Sequence, residues 1–287
     1  MRVPLNRAGA SPAPTEGKPM MIDQQKLREL IAKGVKPPSP DQLRREGNVF
    51  FVGGNLPERE TLETLFDSHC QTPAELFHLT FGDLNSFHRG EELARVIKKN
   101  FNAHLVGRLD YPAPPYIIER AYAAGVDILD IPLTVFDRAL SLERGLAMEE
   151  RLRSIDCARA VFPRWSVVST LVAGEEPSCS TVAGIDALLS AGIVPLVSLS
   201  GRAAHYPVDE VAAIFAHLDA GWRKHKVSMK PLLPLLYLTT PLGPHSRRGA
   251  LRGFIDKIHD RQLLAASDLR RSLRVRQVEE SFESAGL

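Results

Sequence analysis

The residues of this chain with chemical capacity fall into short polar strings, each following an apolar run. Gly53, Gly54 and Asn55 close the first run, Gly82, Asp83 and Asn85 with His88 beyond them close the second, and Arg108 and Asp110 close the third. Later runs lead to Thr134, to Gly174 and Glu175 in 172-VAGEE-176, and to Arg202 and His205 in 198-SLSGRAAH-205. A Gly pair can bring backbone amides close to an anion, or simply make a tight turn. Asp83 and Asp110 can hold an amine or ribose hydroxyls, or cap the helix that follows. Arg108 and Arg202 carry planar forks that suit a carboxylate or phosphate, and equally a structural ion pair. His88 and His205 can exchange protons near neutral pH and are the catalytic candidates of the pattern, although a solvated loop histidine explains each as well. The adjacent Glu175 and Glu176 are not expected to act as an acid and base, because loop neighbours seldom converge on one atom.

These strings need a scaffold, and the sequence supplies a rhythm for one. Short runs rich in Val, Ile and Leu occur at 49-VFFVGG-54, 76-LFHLTFG-82, 103-AHLVGRL-109, 126-VDILDIPL-133, 166-SVVSTLVAG-174 and 193-IVPLVSLSG-201. Between them lie segments with apolar residues at helical spacing, such as 91-EELARVIKKN-100 and 208-VDEVAAIFAHLDAGWRKH-225. Alternation of this kind predicts βαβ units and a parallel sheet. The expected fold is α/β, a parallel (βα)6 partial TIM-type barrel over residues 48–230, in which ligands bind at the C-terminal ends of the strands. Residues 1–22 are expected to form a flexible tail and 23–47 a helical extension. Residues 231–287 are expected to form a Pro-rich segment followed by a basic helical arm.

Composition narrows the classes. The chain has 287 residues, 44% of them hydrophobic and 24% charged, with a net charge of +2, which suits a globular protein with one large core. The apolar run 231-PLLPLLYL-238 is far short of the roughly 20 residues a membrane span needs, and no secretory signal is recognised at the N-terminus. Cys70, Cys157 and Cys179 are too scattered for a disulfide framework or a compact metal knot, so a cytoplasmic, reducing location is expected. The basic stretch 247–277 reads as a helix packed beside the barrel, or as a docking arm for a protein partner or an anionic membrane surface. It lacks the aromatic interleaving that would predict nucleic-acid binding. No P-loop, His-Glu-x-x-His or Cys-x-x-Cys pattern occurs.

Taken in order, 78-HLTFGDLNSFHRGEELARVI-97, 121-AYAAGVDILDIPLTVFDRAL-140 and 170-TLVAGEEPSCSTVAGIDALLSAGIVPLVSL-199 resemble the core of the radical S-adenosylmethionine superfamily, over roughly residues 48–205. Its biotin-synthase and Elp3-like members are the most similar. The resemblance implies cofactor contacts from Gly82, Asp83, Asn85, Thr134, Gly174 and Glu175. Gly53, Gly54, Asn55, Arg108, Asp110 and Arg202 are left to face a substrate.

The same comparison implies a loss. The family's C-x3-C-x2-C motif holds three irons of a [4Fe-4S] cluster, yet the corresponding loop 53-GGNLPERETLETLFDSHCQ-71 contains only Cys70. Phe81 replaces the first Gly of a Gly-Gly-Glu motif, Asp83 shortens its acid, and Pro132 and Thr134 stand where polar ligands are usual. The resemblance therefore implies a barrel without its cluster, binding S-adenosylmethionine passively if at all. It would serve as a non-catalytic partner subunit, scaffold or ligand-binding module of a redox or biosynthetic complex. Two alternatives stand beside it. One is a cluster-independent barrel enzyme acting on a small anionic metabolite; the other is a cluster shared with a partner, Cys70 giving one ligand.

Overall fold

The computed structural model describes residues 19–243 together with Asp268, Leu269 and Arg271. A two-residue strand β1 (Met21–Ile22) leads into helix α1 (Gln24–Lys33), whose first amides at Gln25 and Lys26 are capped by the Asp23 carboxylate. Strands β2 (Leu43–Glu46) and β3 (Val49–Gly53) follow, then helix α2 (Glu58–Gln71). The alternation continues through β4 (Leu76–Thr80), α3 (Phe87–Asn100), β5 (His104–Arg108), α4 (Pro115–Ala123) and β6 (Ile128–Asp130). Helices α5 (Arg138–Glu143) and α6 (Met148–Val161) precede β7 (Val167–Ala173), α7 (Ser178–Ser190) and β8 (Val194–Leu199). A 3-10 turn over Gly201–His205 then enters α8 (Val208–Lys224).

The seven strands β2 to β8 form one sheet in sequence order, and every neighbouring pair from β3 onward is parallel. Only β2 runs antiparallel, pairing Leu43 with Val52. The result is an α/β fold with an open, mostly parallel sheet of TIM-barrel type. Strands β3 and β4 are buried at every position, as expected where both faces are covered. One face packs on helices: Phe50 stacks on Phe77 at 5.3 Å, and Phe77 meets Phe101, just past the end of α3, at 5.0 Å. The opposite, inner face carries Phe51, His78, Thr80, Arg108 and Asp130, which pair in register across neighbouring strands.

Two features differ from expectation. The extension 23–47, expected to be helical, ends in β2, which has too little apolar content to be recognised alone and exists because the edge of β3 offers it a ladder. The Pro-rich segment folds as a 3-10 turn (Lys230–Leu232), helix α9 (Leu233–Thr239) and strand β9 (Leu242–Gly243), which pairs with β1. Pro231 and Pro234 sit in the first turns of these helical pieces, where a missing amide costs nothing. The basic arm 247–277 lies outside the described residues except at Asp268, Leu269 and Arg271. No helix among the described residues is long and apolar enough to cross a membrane.

The stretch between α1 and β2 crosses the open side of the sheet at the C-terminal strand ends. Val35 donates its amide to Leu199 O of β8 at 2.8 Å, and Asn55 beyond β3 donates to Pro40 O at 2.9 Å. Gly53 lies so close beneath this strap that a Cβ there would stand 2.3 Å from Pro40 O.

Candidate functional site

At the C-terminal ends of β5, β6 and β7 a charged group is built into the sheet. Arg108, the last residue of β5, sends Nη1 to Asp130 Oδ2 at 3.0 Å and Nε to Asp110 Oδ1 at 2.8 Å. Asp130 ends β6 with 2% exposure and also accepts from Thr170 Oγ1 of β7. Burial pushes the Asp130 carboxyl above its ordinary range, with the Arg108 charge opposing. Burial alone would lower the Arg108 pKa, but the Asp130 and Asp110 carboxylates more than offset it and keep the guanidinium charged. Arg151 of α6 closes the outer side, donating Nη1 to Pro132 O at 2.7 Å and Nη2 to Asp110 O.

On the neighbouring strand and loops lie buried polar atoms that make no hydrogen bond among the described residues: Asn55 Oδ1, His78 Nδ1, Thr80 Oγ1 and Tyr111 OH. Thr80 pairs in register with Arg108, and His78 sits one inward step below it, at 3% exposure. Burial, then the charges of Arg108 and Arg44, lower the His78 pKa to about 3, so its ring is neutral at physiological pH. Burial raises the Tyr111 hydroxyl pKa, with Asp83 and Tyr116 adding to the shift. Native interiors leave few polar atoms unpaired, which makes this end of the sheet the candidate site.

The candidates read from the sequence divide into several groups. Arg108 and Asp110 are in the charged group. Arg202 instead meets Glu175 at 3.0 Å, a carboxylate it shares with Arg144 at 2.8 Å. Glu176 turns away from Glu175 and is buried, accepting from the Phe136 and Asp137 amides and from Thr181 Oγ1. Asp83 is exposed and holds Ser86 N and Oγ, each at 2.8 Å, ahead of α3; these bonds lower its pKa. Asn85 offers its carbonyl to His88 Nδ1 at 3.2 Å, and both His88 and His205 are exposed. Gly54 packs against Thr80 O, and Gly82 fits between Asn55 Oδ1 and Ser86 Oγ, leaving no room for a Cβ. Thr134 adopts φ +68°, an outlier for a β-branched residue, and bridges to Leu171 of β7. Gly174 (φ +95°) packs against Ala203.

Several members of the site were passed over in the sequence. His78, Thr80, Asp130, Thr170, Tyr111 and Arg151 carry no motif. One signal was available: in 76-LFHLT-80 the polar residues alternate with Phe77 and Leu79, a period of two that puts His78 and Thr80 on one face. Cys70 lies in the last turn of α2, at the opposite end of the sheet from the site, and Cys157 and Cys179 sit on two other helices. Among the described residues no group of three or more His, Cys, Asp or Glu is arranged to hold a metal ion.

Comparison with known proteins corrects the family reading. No family model matches this chain, and no curated protein does. Solved structures that match it include 7,8-dihydropteroate synthase from Vibrio fischeri ES114, at 9% identity and TM-score 0.31 over 62% of this chain and 88% of that one. Another is a dihydropteroate synthase from Coxiella burnetii in complex with pteroic acid, at 12% identity and TM-score 0.32 over 64% and 86%. These are not radical enzymes. With no family model and no curated protein behind it, the resemblance to a radical S-adenosylmethionine core is overturned, together with the degenerate partner-subunit role drawn from it. The expected S-adenosylmethionine contacts have no support.

Proposed function

We propose that this protein is a cluster-independent enzyme on a (βα)6 partial barrel, acting on a small polar metabolite at the C-terminal strand ends. The observation that carries the reading is that four buried polar atoms without a partner among the described residues belong to β4 and to the segments that follow β3 and β5, the strand that ends in Arg108. In this reading Asn55, His78, Thr80 and Tyr111 bind the substrate. Asp130, with its raised pKa and fixed partners, exchanges a proton with it. Arg108 orients the carboxylate and keeps it from drifting to a neutral, unbound state.

The substrate we infer is rich in neutral donors and acceptors. Both arginines first expected to grip an anion already face carboxylates, Arg108 two of them and Arg202 one. The unspent hydrogen-bonding capacity belongs to a neutral imidazole, two hydroxyls and an amide oxygen.

A thermal-shift panel of nucleobases, amides, sugars and hydroxy acids tests this. At least one compound should stabilise the wild type, lose its effect in Thr80→Val and His78→Phe, and be converted on incubation as followed by NMR. Stabilisation that survives both substitutions, a panel without any effect, or a bound compound that is never converted would each overturn the proposal.

A further inference from the structure

The opposite end of the barrel carries a concavity unrelated to the strand-end site. A cavity of about 370 Å³ opens where α6, α7 and α8 end and β7 begins. Its rim holds Arg159, Arg164, Ser190 and His225, and its floor includes Val167 and Leu189. Among the described residues no acidic side chain lines it. β7 runs from this cavity toward the site described above; Val167 of the cavity and Thr170 of the site lie three residues, ~10 Å, apart along the strand and on opposite faces of the sheet.

Basic residues near helix C-termini can be explained by the helix dipole alone. That account requires neither a cavity nor strain, and both are present. Arg164 lies beyond α6 in a tight turn closed by Ser166 N donating to Pro163 O at 3.0 Å. The next residue, Trp165, is held at φ +65°, a left-handed conformation that costs a bulky side chain about 1–2 kcal/mol. In that conformation the Arg164 guanidinium stands 5.1 Å over the indole ring. The strained turn thus fixes one cation on the rim. Arg159, the second, pairs among the described residues with the exposed Asp156 at 3.0 Å, and such a pair is easily exchanged for a ligand anion.

We infer that this cavity is a binding site for a small organic anion. A phosphate or carboxylate head is taken by the Arg159 and Arg164 forks, with His225 and Ser190 adding hydrogen bonds. The apolar body rests on Val167 and Leu189. The volume lies within the usual range for small-molecule sites, roughly 300–1,000 Å³. Forked guanidinium groups recognise both oxyanions.

The test is titration of the full chain with phenyl phosphate, benzoate and benzyl alcohol, read by calorimetry and by tryptophan fluorescence, since Trp165 lies under Arg164 and the other indole, Trp222, is buried. Either anion should bind saturably and benzyl alcohol should not; the tighter anion identifies the head group. The double variant Arg159→Ala with Arg164→Ala should weaken binding by about tenfold or more. Asp110→Asn, at the other end of the barrel, should leave it unchanged. Saturable binding by neither anion at millimolar concentration, equal affinity in the double variant, or equal binding of benzyl alcohol would overturn the inference.

Discussion

His78 is a side chain whose ionisation the whole fold should feel. It is buried on the inner face of β4, where desolvation and nearby arginines lower its pKa to about 3, whereas an unfolded histidine titrates near 6.5. Above about pH 6.5 both states are neutral and its contribution is constant. Below that, the unfolded chain takes up a proton that the folded chain refuses. Stability then falls by about 1.4 kcal/mol per pH unit toward the folded pKa. Urea unfolding at pH 7.5 and 5.0 should show wild type losing roughly 2 kcal/mol more than His78→Phe over that interval. An equal loss in both proteins would mean the ring is not held neutral. The imidazole was in plain view in the sequence. Its isolation was not, because the face of a strand that becomes an interior depends on what closes over it.

At the scale of elements, the strap over residues 34–41 ties the two sides of the open sheet. Its carbonyl at Pro40 comes so near Gly53 that an added methyl group must move backbone rather than a flexible side chain. Gly53→Ala is expected to cost about 1–3 kcal/mol, the usual range for overpacking. Gly201→Ala, at a position with nothing within 4 Å and an ordinary φ, should change stability by less than about 0.5 kcal/mol. The shift in urea midpoint between the two variants checks this, and similar midpoints would show that the strap yields freely. The six strands of the parallel ladder are legible because runs such as 49-VFFVG-53 are apolar throughout. β2 is not, since 43-LRRE-46 becomes a strand only when the edge of β3 is there to pair with.

For the whole molecule, an ionic knot at the start of β6 joins parts of the chain far apart in sequence. Asp127 accepts from Lys98 Nζ, Leu105 N and Arg271 Nη2, each at 2.9 Å, and Arg271 also donates to Val126 O. Burial would raise the Asp127 pKa, but the Lys98 and Arg271 charges prevail and hold it below the ordinary value. Its contribution is therefore present above the unfolded carboxyl pKa, near 3.9, and lost as pH falls through the folded one. Asp127→Ala removes the buried carboxylate shared by Lys98 and Arg271, leaves them facing the exposed Asp268 at 3.8 and 2.7 Å, and should cost about 3–5 kcal/mol. Arg271→Ala leaves Lys98 and the Leu105 amide in place and should cost less, about 1.5–3 kcal/mol. Equilibrium unfolding at pH 7 ranks the two, and a larger loss from Arg271→Ala would place the strength of the knot elsewhere.

By itself the sequence determined the alternation of apolar strands and amphipathic helices, and hence an α/β sheet with polar groups at its C-terminal strand ends. Periodicity is local, and local patterns survive without knowledge of distant contacts. Arg108 and Asp110 were visible for the same reason, standing where a strand runs out. Only the tertiary structure decided that Asp130 and Thr170 meet Arg108, that Glu175 is spent on Arg144 and Arg202, and that Thr80 and Tyr111 are left unpaired. Those outcomes depend on which strands are neighbours and in what register, and a side chain's charge, burial and remaining hydrogen-bonding capacity are properties of that neighbourhood rather than of the residue.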